Sequence, residues 1–122
     1  VTRRVASQKG AKLRADRLFS QIVRSRGRCE KCGESRYDLL QTAHIASRRF
    51  SATRCDIENA LCLCAGCHHY FTDHPVEFGR WVIAYLGEER YDAVLRRAMQ
   101  TTPRMDWNAE VERLRALVPV SE

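Results

Sequence analysis

The sequence predicts an α+β fold, a short two-stranded core set between a basic N-terminal helix and a run of C-terminal helices. Three observations carry that prediction. Two C-x-x-C pairs, Cys29/Cys32 and Cys64/Cys67, frame a 31-residue insert. Within that insert two short segments, Leu39–Ile45 and Ala60–Leu63, read as strands. On either side, apolar residues recur at the helical period. Each C-x-x-C pair places two thiolates on a tight turn, and two such turns complete a tetrahedral structural zinc site. A disulfide framework or a redox dithiol is the alternative. The spacing and the otherwise intracellular composition favour metal, expected as Zn2+ on Cys29, Cys32, Cys64 and Cys67.

At 122 residues the chain is read as one domain. Residues 1–27 form the basic N-terminal helix, 28–72 the zinc-stapled core, and 73–122 a helical extension. A chain this small has a modest core and gains from a metal staple. No apolar run reaches the length of a bilayer-spanning helix, so no membrane role is expected.

The net charge of +6 hides an asymmetry. Residues 1–54 carry 14 Lys/Arg against 4 Asp/Glu, and residues 55–122 carry 7 against 11. Eighteen of the 21 basic residues are Arg, whose planar fork matches phosphate geometry. A basic half opposed to an acidic half points to an oriented nucleic-acid surface, with a solvated charged face as the plainer reading.

In chain order, Ala15, Leu18, Phe19, Ile22 and Val23 mark one face of a helix over about 11–25, ended by Gly27. Its other face carries Lys12, Arg14, Arg17 and Arg24, which could track phosphates or simply be solvated. Gly33 supplies the open dihedrals that the first knuckle needs. A first strand over 39–45 leads to His44, and a polar, basic loop follows over 48–56. A second strand over 60–63 leads into a helix over 65–72. Cys55 and Cys62 are surplus to the zinc site, Cys62 reading as a small core residue. Pro75 opens the next helix, with Gly87 closing it and Phe78, Trp81, Val82, Tyr85 and Leu86 as its stripe. His74 reads as its cap. Tyr91, Val94, Leu95, Ala98 and Met99 mark another helix, and Asp106 caps a last one through Trp107, Val111, Leu114 and Leu117.

The order C-x-x-C, then Ala43-His44-Ile45, then Asn59-Ala-Leu-x-Leu-Cys-x-x-Cys-His68 resembles the HNH endonucleases. The likeness covers about Cys29 to Thr72, a third of the chain, and implies a ββα-metal core. Pro75-x-x-Phe78-x-x-Trp81 with Leu86-Gly87 and Tyr91-x-x-x-Leu95 is similar to small phage-encoded HNH proteins. Ala43-His44-Ile45-Ala46-Ser47-Arg48 resembles a segment of phage recombination nucleases.

Hydrolysis of a phosphodiester needs a base for water, a cation for phosphoryl charge and groups that orient the backbone. His44 is the natural base. The resemblance implies that role, and implies that Asn59 ties the inter-strand loop while His68 ligates a catalytic Mg2+, Mn2+ or Ni2+. Arg48, Arg49 and Arg54 are the expected DNA contacts. The products implied are 5′-phosphate and 3′-hydroxyl ends. One departure stands out: many members place Asp or His before the base histidine as a second metal ligand, and here that residue is Ala43. The function so implied is a divalent-metal-dependent DNA endonuclease of phage or prophage derivation, acting in the host cytoplasm, with DNA and packaging or recombination proteins as partners. A catalytically silent zinc module that binds DNA or protein is the alternative, and an RNA-directed nuclease a third reading.

Overall fold

The structure, a computed structural model, describes residues 7–119. Seven regular elements follow in order: α1 (Gln8–Arg24), β1 (Leu40–His44), β2 (Ala60–Cys64), α2 (Ala65–Asp73), α3 (Pro75–Leu86), α4 (Glu88–Met99) and α5 (Trp107–Arg115). Single 3₁₀ turns over Tyr37–Leu39 and Ile57–Asn59 lead into the two strands. The chain is thus α+β, with one antiparallel two-stranded sheet. The sequence places every helix and strand to within a few residues. The larger difference is the start of α1, three residues earlier than expected. Ser7 is its N-cap, its hydroxyl accepting from the Gly10 N–H at 3.1 Å, a cap that outweighs the polar character of residues 8–10. Residues 1–6 of the basic N-terminal segment lie outside the described residues.

The strands pair from Leu40 opposite Cys64 to His44 opposite Ala60. All five residues of β2 are buried, because α1 and α2 lie against the sheet and the first knuckle closes the outer edge of β2. There Glu30 exchanges bonds with Cys62 (Glu30 N–H to Cys62 O at 2.8 Å, Cys62 N–H to Glu30 Oε2 at 2.7 Å), and Arg26 Nη1 donates to Ala60 O at 2.8 Å. Cys62 N–H, Cys62 O and Ala60 O on that edge are therefore satisfied without a third strand. Among the described residues no strand pairs with the outer edge of β1, and the candidate site residues His44, His68 and Arg48 line a cleft along that open edge.

One core unites the elements. Ala11, Ala15, Phe19 and Val23 of α1 pack against the sheet and against Trp107, Val111 and Leu114 of α5. Small side chains at 11 and 15 let α5 approach closely, and Asp106 caps α5 through the Asn108 and Ala109 N–H groups. Gln8 ties the two helices from outside, accepting from Trp107 N–H at 2.7 Å and donating to Asp106 Oδ1 at 3.3 Å. Burial of such apolar area stabilises by about 25 cal/mol per Å². α3 stacks Trp81 on Phe71 of α2 at 5.3 Å between ring centroids. α4 is pinned from its polar side, Arg97 meeting Asp56 at 2.8 Å.

Three expected core positions lie at the surface. Met99, the last residue of α4, and Leu117, just past α5, are exposed. Tyr85 is half exposed, its hydroxyl donating to Glu30 at 3.0 Å. His74 holds the cap position of α3, but its side chain makes no cap bond. Its Nδ1 instead donates to Tyr70 O at 2.7 Å. Among the described residues no helix is long and apolar enough to cross a membrane.

Candidate active site and metal centre

The four knuckle cysteines come together as expected. Cys29 and Cys32 follow α1, Cys64 ends β2 and Cys67 lies in the first turn of α2. Their sulfurs all lie within 4.8 Å of one another, and Cys32 Sγ and Cys64 Sγ are 3.7 Å apart. Tetrahedral zinc–thiolate bonds of about 2.3 Å place sulfurs about 3.8 Å apart, so the cluster matches that geometry. Gly33 takes φ +85°, the left-handed conformation that lets the first knuckle turn back, with its N–H on Cys29 O at 2.9 Å.

Backbone N–H groups serve the sulfurs, Cys32 N–H donating to Cys29 Sγ and Cys67 N–H to Cys64 Sγ. Burial opposes ionisation of Cys29, but the surrounding backbone groups prevail and bring its thiol down to about 7. Cys67 is pushed up by burial and by its neighbouring sulfurs. Cys32, favoured by the Glu34 backbone, is raised on balance by Cys29 and Cys64. Four sulfurs this close favour deprotonation together only with a cation among them, so the donor set fits a bound metal ion. Cys55 and Cys62 are buried elsewhere in the core. Desolvation first, then Asp16 and Glu110, push the Cys55 thiol up to about 12.

A cleft of about 630 Å³ runs along the open edge of β1. Thr42 and His44 face α1, where the His44 ring lies 5.6 Å from that of Phe19. His68 reaches the same cleft from α2, on the other face of the sheet. The sheet's edge thus separates two histidines delivered from opposite sides. His44 Nε2 lies 2.9 Å from the backbone oxygen of Arg54. A carbonyl can only accept, so Nε2 carries the proton and Nδ1 keeps its lone pair. Burial lowers the His44 pKa, the Arg54 carbonyl raises it, and nearby Arg48 lowers it again. The net shift is downward, toward the neutral base. His68 Nδ1 pairs with Gln41 Oε1 at 2.8 Å, leaving Nε2 for a ligand, and burial lowers its pKa as well.

Asn59 is fully buried and straps the loop between the strands. Its Oδ1 accepts from Ala46 N–H at 2.7 Å, and its Nδ2 donates to Ala46 O at 3.0 Å and Thr53 O at 2.9 Å. The loop carrying Arg54 O to His44 is therefore fixed at its centre by one side chain. Ala43 is buried on the α2 face. It lines a second cavity of about 180 Å³ with His44, His68, Phe71, Thr72, Pro75 and Phe78.

The three arginines expected at DNA divide. Arg48 lines the cleft, and Arg49 is exposed with its guanidinium 4.7 Å from the Phe50 ring. Arg54 departs from the expectation. Its Nε and Nη2 make a two-pronged pair with Asp16 at 2.8 and 2.6 Å, and Nη1 donates to Arg48 O at 2.9 Å. Its side chain is 14% exposed, so the guanidinium is a strut between α1 and the loop and not a phosphate contact. Sequence reading missed Asp16, Ser20 and Gln41, which line the cleft together with Arg24, one of the four basic residues of the helix face that could track phosphates. The only available signal was their place on the polar face of α1 or three residues before His44.

Two C-x-x-C turns with clustered sulfurs thus flank a ββα unit whose His44 and His68 open onto one cleft. Residues 29–78, less than half of the chain, match a family model described as HNH endonuclease. α1 and everything beyond Phe78 lie outside the match. No curated protein and no solved structure matches the chain.

Proposed function

We propose that the chain is a divalent-metal-dependent endonuclease that hydrolyses phosphodiester bonds of DNA. The observation that carries the reading is the pairing at the edge of β1. His44 and His68 open onto one cleft, each with one ring nitrogen tied to the protein and the other left with a lone pair. His44 Nδ1 is the general base that takes the proton from the attacking water, and the Arg54 carbonyl stabilises the imidazolium that results. Asn59 keeps that carbonyl in place. His68 Nε2 would hold the divalent cation, which when bound supplies Lewis-acid stabilisation of the phosphoryl and leaving oxygens. Arg48 orients the phosphate, with Arg49 beside it as a second cation. Family resemblance assigns 5′-phosphate and 3′-hydroxyl products.

Zinc in the four-cysteine cluster has a specific part in this reading. Cys64 and Cys67 belong to the turn that launches α2, and His68 is the next residue. The staple therefore fixes where His68 stands relative to β1. The likeness of α3 and α4 to small phage-encoded members supports partners in packaging or recombination.

Ala43 favours a second reading, a catalytically silent binding module, because no carboxylate or imidazole at that position joins His68. Single-turnover cleavage of a labelled duplex with Mn2+ separates the two. A His44→Ala variant is expected to lose 10²–10⁴-fold in rate, as general-base removal does, while keeping zinc and duplex affinity. Rates at background for both proteins would favour the silent module, and equal rates above background would remove His44 from the role of base.

A further inference from the structure

The segment that matches the family begins after α1, yet α1 forms one wall of the cleft. Its last residue, Arg24, is held in an unusual way. Nε donates to Ser20 O at 3.3 Å and to Ser20 Oγ at 3.0 Å, and the guanidinium carbon lies 5.3 Å from the centre of the Tyr37 ring. Ser20 Oγ also accepts from Thr42 Oγ1 at 3.2 Å, which ties the assembly to β1. Among the described residues neither Nη nitrogen has a partner. An arginine fixed along its Nε edge and supported on its flat face presents the two-nitrogen end of its fork, the geometry that grips phosphate. Much of its side-chain entropy is already lost before a ligand arrives.

Position along the cleft sets what that fork would meet. α1 crosses β1 in the opposite sense: Asp16 reaches Arg54, Phe19 meets His44, Ser20 meets Thr42, and Arg24 meets Tyr37 just before the strand. Arg24 and Arg48 therefore stand at opposite ends, with the histidines between. From Phe19 to Arg24 the helix advances roughly 7.5 Å, five residues at about 1.5 Å each. That distance carries Arg24 clear of the phosphate attacked beside His44.

We infer that Arg24 is a substrate-binding residue, a clamp for a non-scissile phosphate of a nucleic-acid strand lying along the open edge of β1. The inference rests on the nuclease reading for the word scissile, but its binding part can be tested alone. A purely structural role, with Arg24 closing the C-terminal end of α1, would affect melting and leave phosphate recognition untouched.

The test uses the full zinc-bound chain carrying His44→Ala, so that duplex stays uncut, and fluorescence anisotropy as the readout. A single neutral methylphosphonate is walked along the strand through positions flanking the cleavage site. Arg24→Gln is expected to weaken binding about tenfold and to reduce the salt slope by about 1. One flanking methylphosphonate that weakens the parent should have no further effect on Arg24→Gln. Arg24→Lys, with charge but no fork, should fall between, and Tyr37→Leu should reproduce part of the loss without removing any charge. If Arg24→Gln fails to retain zinc, the Lys and Tyr37 variants carry the same cycle. Affinity within twofold of the parent, or losses that simply add at every methylphosphonate position, would overturn the inference. Coupling found in a protein whose native form cleaves nothing would support the clamp while removing the nuclease reading. Cleavage without coupling would do the reverse.

Discussion

Replacing Asp16 by Asn removes a charge from outside the matched segment and should disable chemistry in the cleft. Asp16 holds Arg54 by two charge-assisted hydrogen bonds of 2.6 and 2.8 Å. The two side chains are 19% and 14% exposed, so the pair is mostly, not wholly, withdrawn from water. Breaking a fully buried pair costs about 3–5 kcal/mol, and an exposed one well under 1. Asn keeps the volume and one acceptor, so a loss of about 2–3 kcal/mol is expected. For a domain of this size that lowers Tm by roughly 10 °C. The functional loss comes from geometry, because the backbone oxygen of Arg54 accepts the His44 Nε2–H bond at an N···O distance of 2.9 Å. Slack of about 1 Å in that loop corresponds to about a hundredfold in rate. At 25 °C, with the protein folded and zinc-bound, kcat should fall 10–100-fold and KM by no more than about threefold either way. Asp16→Glu should restore part of kcat. A destabilised Asp16→Asn protein that cleaves at the parental rate would refute the argument that this strut positions the base.

Cys64→Ser should cost the fold as well as activity, since zinc binding in such sites is worth on the order of 10 kcal/mol of folding free energy; circular dichroism and zinc content should fall together. The acid limb of kcat/KM should have its midpoint below pH 6.5, because burial holds the His44 pKa under its ordinary value. Arg48→Gln should move that limb upward by removing a cation that opposes protonation. The linked stability has the same sign. Between the folded pKa and 6.5 the unfolded chain binds more protons, so stability is full above 6.5 and declines as pH falls toward the folded value. Ala43→Asp places a carboxylate in the cavity shared by His68 and Thr72, against Phe71 and Phe78. Without divalent metal it should lower Tm by a burial cost of about 2–4 kcal/mol, and Mg2+ or Mn2+ should recover much of that loss. Melting indifferent to metal would show that position 43 does not join a metal site with His68.

The legible parts of this fold were those fixed by local spacing. Thiolates with two residues between them on turns have few uses, and helical stripes such as Phe78–Trp81–Val82 follow from a period the backbone imposes. The places of His44, Asn59 and His68 were read from a motif whose order survives in sequence. Long-range charge pairing was not legible. Arg54 looked like its neighbours Arg48 and Arg49, and only the path of α1 across β1 brings Asp16, 38 residues away, onto its guanidinium. The same packing turns Arg24 and Ser20 from a solvated helix face into a cleft wall. The closure of the β2 edge by Glu30 was hidden too, because a side chain there does the work of a strand.

The most direct test is relaxation of supercoiled plasmid by the zinc-bound protein in Mg2+, Mn2+, Ni2+ or added Zn2+, with His44→Ala run beside it. The account predicts nicked or linear product in at least one metal, Mn2+ or Ni2+ exceeding Mg2+ because a single imidazole holds Mg2+ poorly, and none above background for His44→Ala. Plasmid left supercoiled in all four metals by protein that binds DNA, or cut equally by the His44→Ala variant, would contradict it.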